Sequence, residues 1–250
     1  MGKARNFINI FLNGLVTVVK YDRIRTGFFE SRPNRFIAQV KLDGRIETCH
    51  VKNTGRCREL LIPGASVYLQ EADKPERKTR FDLVAVRHQD GRIVNIDSQI
   101  PNKIVGEWLE KGQLFSKAAQ IYPERRFGNS RFDFYVEDGK RKAFLEVKGV
   151  TLDEGGTARF PDAPTERGVR HMRELVSCLE AGYEAYLIFV VQMKGIREVQ
   201  ANWVRHREFG EVLAEIADRG VQVLAFDCQV TSEEIVLDQQ LPVNFDNYEE

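Results

Sequence analysis

Two carboxylates and a lysine are spaced in this chain so that they could share one edge of a sheet and hold a divalent cation. Asp133 lies in Ser130-Arg131-Phe132-Asp133-Phe134, and Glu146 and Lys148 lie in Phe144-Leu145-Glu146-Val147-Lys148-Gly149. Both stretches read as strands, joined by Asp138-Gly139, a strong hairpin dipeptide. Alternate residues of a strand share a face, so Glu146 and Lys148 point one way while Leu145 and Val147 point into the core. Asp133 sits on the partner strand between two aromatics. Where the hairpin register allows, the three side chains converge on one edge. Two carboxylates suit a hard, oxygen-liganded cation, Mg2+ or Mn2+, that keeps its waters and meets a substrate phosphate. The lysine ammonium would orient or activate a water and offset charge building on phosphorus. The same residues also fit a solvated sheet face carrying an exposed ion pair.

Other candidates flank this set. Asn53-Thr54-Gly55-Arg56 makes a turn whose backbone N–H groups and arginine suit a phosphate. Gly55 permits a positive φ or a close backbone approach, and Arg56 supplies a fork of donors. Arg32, Asn34 and Arg35 in SRPNRF add to the same surface, and a tight turn with a solvated arginine competes with this reading. In FPDAPTERG, Thr165 as an N-cap and Glu166 at the positive helix end have sufficient structural reasons. A phosphate contact by Arg167 is a secondary reading, and His171 reads as a helix-surface or partly buried histidine. Phe36, Tyr68 and Phe81 suit either base stacking or a core.

The elements that must position these residues fall into two groups. Residues 35–95 read as about five short strands around a small helical turn, Arg58 to Ile62, which is the pattern of a compact barrel of OB type. Beyond Pro101 the order becomes α-β-β-β-α-β-α-β. Asn102 is positioned to cap a first helix through Lys111, Thr165 a second to Leu179, and Arg207 to Asp218 form a third. YEAYLIFVV is a near-continuous apolar run, as in a strand buried on both faces. The expectation is an α/β (α+β) chain: residues 1–98 as an N-terminal extension and OB-fold-like barrel, residues 99–250 as a mixed sheet with flanking helices.

Composition narrows the classes. The 250 residues carry 37 Lys+Arg against 37 Asp+Glu. That balance averages unlike parts, since residues 221–250 hold seven Asp/Glu and no Lys or Arg, leaving the rest basic. No run of eighteen apolar residues exists, so a membrane-spanning helix is not expected, and the apolar stretch Phe7 to Val19 reads as an N-terminal strand or extension of a cytoplasmic protein. Cys49, Cys57, Cys178 and Cys228 are scattered without a CxxC pair and read as reduced, packed thiols. No Walker A, GxGxxG, HExxH or GxSxG pattern is present.

The D…ExK arrangement in its hairpin context resembles the PD-(D/E)xK nuclease superfamily. Further segments, RPNRFIAQV, CHVKNTGRCRELLIPG, RKTRFDL, SRFDF, LEVKGVTL, FPDAPTERGVRHMREL and GVQVLAF, together resemble the sugar fermentation stimulation protein A family from about Phe28 to Val243. The resemblance implies an OB-fold joined to a PD-(D/E)xK restriction-endonuclease-like domain, and a protein that binds DNA and is regarded as a candidate nuclease. The family was first linked to regulation of sugar metabolism. Carried over by position, Asp133 and Glu146 would hold the metal and Lys148 would be the catalytic lysine. Glu124, ahead of the SRFDF segment, would be a third metal carboxylate or a surface acid paired with Arg125 or Arg126. Arg35, Asn53, Thr54, Gly55, Arg56 and Arg167 would face nucleic acid. One departure is NWVRHREFGEVL, which has Arg205 and His206 where the family usually keeps an aspartate. The expected function is therefore a DNA-binding protein, RNA being a further substrate, with Mg2+- or Mn2+-dependent phosphodiesterase activity. The rivals are a non-cleaving DNA-binding regulator that retains the fold, and a domain binding another protein through its acidic end.

Overall fold

The computed structural model describes residues 17–53, 55–73 and 76–247. Strand β1 (Thr17–Lys20) precedes a run of barrel strands: β2 (Ile24–Asn34), β3 (Ile37–Leu42), β4 (Arg45–Val51), β5 (Ser66–Glu71) and β6 (Phe81–Arg87). They pair in the order β4-β3-β2-β5-β6, and a parallel pairing of β4 with β6 closes the ring. This is the OB topology, with the chain between β4 and β5 folded as a helical turn in which Leu61 N–H donates to Cys57 O at 2.8 Å. The β3–β4 turn places Asp43 and Gly44 at φ 50° and 80°, as the Asp-Gly dipeptide predicts. Alternating residues Ala38, Val40, Leu42, Cys49, Val51, Val67, Leu69 and Leu83 fill the barrel. A short strand, β7 (Ile93–Asn95), extends it beside β6.

The second body starts with helix α1 (Ile100–Glu110) and the meander β8 (Gln120–Phe127), β9 (Ser130–Asp138) and β10 (Arg141–Val150). Two short strands, β11 (Asp153–Glu154) and β12 (Thr157–Phe160), lead to α2 (Glu166–Glu180) and the central strand β13 (Glu184–Val191). Next come β14 (Glu198–Ala201), α3 (Arg207–Asp218), β15 (Gln222–Val230), β16 (Glu234–Gln240) and β17 (Val243–Asn244). The main sheet runs β1-β16-β15-β13-β10-β9-β8, with β13 parallel to both β10 and β15. Strand β13 is buried along nearly its whole length because α1 covers one face and α2 and α3 the other. A small sheet, β11-β12-β14-β17, closes one end.

Strand β2 lies ahead of the strands read from the sequence, and four further features depart from that reading. Residues 17–20, expected with the barrel, form an edge strand of the second sheet through antiparallel pairing with β16; the earlier part of that apolar stretch lies outside the described residues. Asn102 does not cap α1. The helix begins three residues earlier, after Gln99, and Asp97 Oδ1 accepts from Gln99 N–H at 2.9 Å. The barrel and the sheet are not separate cores either, because one apolar cluster runs from the barrel interior to the face of the sheet under α2 and α3. A buried polar seam adds to the join: Gln192 Nε2 donates to Asn95 Oδ1 at 2.8 Å and to Asp97 O at 3.1 Å, and Asn95 Nδ2 donates to Tyr21 Oη at 2.7 Å. Finally, part of the acidic end is structural, since Lys194 bonds both oxygens of buried Asp227, at 2.9 and 2.8 Å, and also Asp238.

Candidate active site

The last ladder pair between β9 and β10 is Phe134 opposite Leu145, so one step further Asp133 comes opposite Glu146. There the carboxylate takes over from the ladder. Asp133 Oδ2 accepts from Val147 N–H at 2.7 Å, and Oδ1 accepts from Asn102 Nδ2 at 2.6 Å. Asn102 thus serves the site from α1, a role its position in a predicted cap did not reveal. Side-chain alternation breaks at the same residue: Phe134 joins the core under α1 and Phe132 the core under α2.

Glu146 is 3% exposed, which excludes the solvated-face reading. Its Oε1 receives Lys148 Nζ at 2.5 Å and His171 Nδ1 at 2.7 Å. Its Oε2 is equally buried and has no hydrogen-bond partner among the described residues. A carboxylate oxygen left bare in the interior is costly unless something positive reaches it. Burial first, then the neighbouring Glu146 charge, push Asp133 up to about 6, against the pull of the Val147 and Asn102 bonds and of Lys148. Burial also works to raise Glu146, but the bonds from His171 and Lys148 outweigh it and hold that carboxyl below its ordinary value. The two acids therefore titrate apart although they face each other.

Helix α2 brings in the third side of the site. Thr165 caps it as expected, its Oγ1 accepting from Gly168 N–H at 3.0 Å. His171, 2% exposed, is buried more completely than the helix-surface or partly buried histidine expected, and packs edge-on to Phe132 with ring centroids 5.8 Å apart. The sequence did carry a signal. Position 171 falls within the apolar stripe of α2, four residues before Leu175, so a histidine there had to be buried. Arg167, one turn earlier and exposed, reaches His171 Nε2 through its Nε at 3.4 Å.

Glu124 does not join the set. It sits at φ 58° on β8, its carboxylate is 55% exposed, and it pairs with Arg131 Nε at 2.7 Å; neither of the two arginines named from sequence is the partner in this pair. The NTGR turn lies on the far side of a cleft of about 1040 Å3 between barrel and second body. Arg35, Asn53, Gly55, Arg56 and Arg58 line its barrel wall, while Gly149 and Val150, the residues after Lys148, and Thr165 line the other. Asp133, Glu146 and Lys148 adjoin this cleft without lining it. Thr54 lies outside the described residues.

The turn is built for close approach. A Cβ on Gly55 would sit 2.5 Å from Asp162 Oδ2 and 2.9 Å from Asn53 Oδ1, so a larger residue would displace both side chains at the contact with the FPDAP loop. Gly55 N–H donates to Asn53 Oδ1 at 2.7 Å and is therefore not free for a phosphate. Arg32 is also committed, donating to the carbonyls of Gly55, Arg56, Arg35 and Asn53 at 2.6–2.8 Å. What the turn offers the cleft is the exposed Arg56 side chain. The departure at residues 205 and 206 also has a structural account. Arg205 donates to Asp162 O at 3.2 Å, and His206 Nδ1 accepts from Thr165 N–H at 3.3 Å. The His206 proton then sits on Nε2, facing Glu166 and Glu208 at 3.8 and 3.9 Å, where a cation would have to displace it.

Among the described residues no helix is long and apolar enough to cross a membrane. A family model described as the SfsA N-terminal OB domain matches residues 31–96, and one described as the sugar fermentation stimulation protein RE domain matches residues 99–234. A sugar fermentation stimulation protein homolog of Desulfitobacterium hafniense is 58% identical over 217 residues, covering 87% of this chain and 94% of that protein. The homolog of Ruminiclostridium cellulolyticum is 54% identical over 225 residues, 90% of this chain and 99% of its own. Among solved structures, that of Pyrococcus furiosus SfsA in complex with Ca2+ matches with a TM-score of 0.83 at 30% identity, covering 92% of this chain and 100% of that one.

Proposed function

The chain belongs to the sugar fermentation stimulation protein family, and from that premise we propose that it is a nucleic-acid-binding, divalent-cation-dependent phosphodiesterase acting on DNA or RNA. The observation that carries this reading is the bare, buried Oε2 of Glu146 beside a second carboxylate whose acidity burial has weakened. An all-oxygen pair of this kind fits Mg2+ or Mn2+ better than a softer metal, and the Ca2+ named for the Pyrococcus furiosus relative is of the same hard class. Asp133 and Glu146 would hold the cation, which when bound polarises a phosphoryl oxygen and makes a water nucleophilic at neutral pH.

The chain's own groups prepare that chemistry. Asn102 and the Val147 N–H fix Asp133 from two sides, so its oxygens need no rearrangement to serve as ligands. Lys148 stands on Glu146 Oε1, and its ammonium offsets negative charge that builds on phosphorus. Arg35, Arg56 and Arg58 in the adjoining cleft offer cations to the flanking phosphates, and the exposed Arg167 does the same at the mouth of α2.

The test incubates purified protein with labelled single-stranded and duplex DNA and RNA, with Mg2+, with Mn2+ or with EDTA, beside Lys148→Ala and Asp133→Ala. Cation-dependent cleavage by wild type that both variants lose supports the phosphodiesterase. Equal background cleavage in all three proteins, with nucleic-acid binding retained, refutes it and leaves a DNA-binding regulator that keeps the fold.

A further inference from the structure

We propose that His171 is a positioning residue, locked by Arg167 in one tautomer, that turns the Glu146 carboxylate so that Oε2 is free for the cation; the proposal rests on the metal reading above. The geometry admits one proton arrangement. Arginine has only donors, so His171 Nε2, which meets Arg167 Nε at 3.4 Å, must accept. With Nε2 accepting, the ring proton is on Nδ1, which lies 2.7 Å from Glu146 Oε1 and donates to it. Lys148 donates to the same oxygen at 2.5 Å.

Two donors on one oxygen have a directional consequence. A carboxylate free to turn about its last bond presents either oxygen, whereas here both bonds are made only when Oε1 faces α2 and Lys148. Oε2 is then the oxygen left without a partner. The ring cannot easily swing away, since His171 is 2% exposed and its edge meets Phe132. Histidine at this place therefore acts on the cation through Glu146, as the outer partners of metal ligands do when they fix ligand orientation. The hydrogen bonds run from Arg167 through His171 to Glu146, which connects an exposed cation in the first turn of α2 with a buried ligand.

The experiment measures Mn2+ affinity calorimetrically, without nucleic acid, in wild type and in His171→Ala, His171→Asn and His171→Gln. An asparagine amide nitrogen stands where Nδ1 stands, and a glutamine amide nitrogen reaches where Nε2 stands, so the two variants separate the atoms. The alanine variant should bind Mn2+ about 10–100-fold more weakly, the usual effect of removing such a partner. Asparagine should recover most of the loss and glutamine little. Two-bond 1H–15N spectra of wild type should show a protonated Nδ1 and an unprotonated Nε2 on His171. Should the alanine variant fail to fold, the comparison of asparagine with glutamine decides. Wild type that takes up no Mn2+ overturns the metal reading and this one with it. Wild type that binds Mn2+, with the glutamine variant equal to it or to the asparagine variant, overturns the positioning role alone.

Discussion

Replacing Asp133 by asparagine should stabilise the cation-free protein at neutral pH, and the size of the effect follows from the site. Folding moves this carboxyl from its ordinary 3.8 to about 6. At about 1.4 kcal/mol per unit, holding it ionised in the folded chain costs about 3 kcal/mol once the pH is above both values. The sign is set by proton uptake: between the two values the folded state binds more protons than the unfolded one, so stability falls as pH rises through roughly 4 to 6 and then levels. Asparagine keeps an acceptor for the Val147 N–H but must meet the Asn102 amide, which has to turn over and forfeits about 1 kcal/mol. The net gain at pH 7.5 is about 2 kcal/mol, or about 4–8 °C in Tm for a chain of this length. Urea denaturation in EDTA at pH 7.5 and at pH 4 measures it for both proteins. Asp133→Asn should lead at pH 7.5, lose its lead at pH 4, and fall behind when Mn2+ is added, because only wild type gains from the cation. An asparagine variant less stable than wild type at pH 7.5, or a difference that ignores pH, would refute the reasoning.

Three other substitutions probe the cleft and the join. Gly55→Ala should lower stability by about 1 kcal/mol, because its Cβ would displace the Asp162 carboxylate and the Asn53 amide oxygen that accepts from the Gly55 N–H; a denaturation midpoint equal to wild type would mean that both side chains move aside freely. Arg56→Ala should reduce the slope of log affinity against log salt for DNA by about one and leave the fold intact, whereas an unchanged slope removes Arg56 from the contact surface. Gln192→Ala deletes two buried donor bonds to the barrel and leaves Asn95 Oδ1 without its side-chain donor, an expected loss of about 1–3 kcal/mol in thermal or chemical unfolding. Unfolding of that variant at the wild-type midpoint would show that the apolar cluster alone carries the join.

The parts of the site that a sequence reader can see are those fixed by short-range rules. Asp138-Gly139 sets the turn, the turn sets the register, and the register brings Asp133 opposite Glu146. Helix α3 has the predicted ends, and α2 the predicted cap. What escaped depended on where elements cross. Nothing local says that the start of α2 lies over Glu146, so neither the burial of that acid nor the bond from His171 was evident. Asn102 looked like a cap because its type suits one, and only the packing of α1 on β9 and β10 gives its amide another partner. Strand β2 was overlooked because Gly27 and Pro33 are poor strand residues. Gly27 is required there, since a Cβ would sit 2.6 Å from Val40 Cγ1. Glu124 has the right type near the right place, yet an arginine two residues before Asp133 took it to the surface.

Strand β1 ties together two distant parts of the described chain. Every pairing of the barrel lies between residues 24 and 95, so its ladder takes no residue from the main sheet. Thr17–Lys20, which come earlier, find their partner only in Glu234–Leu237. The barrel is thus a loop of chain held between the two halves of a clasp. Contacts so distant in sequence are slow to form, and until they do, β16 has an unpaired edge and the core under α1 lacks Val19. The sheet that carries Asp133 and Glu146 is complete only when both ends of the described chain have met. Any shortened product that keeps the barrel and loses β16 would leave Thr17–Lys20 without their strand partner and the clasp open.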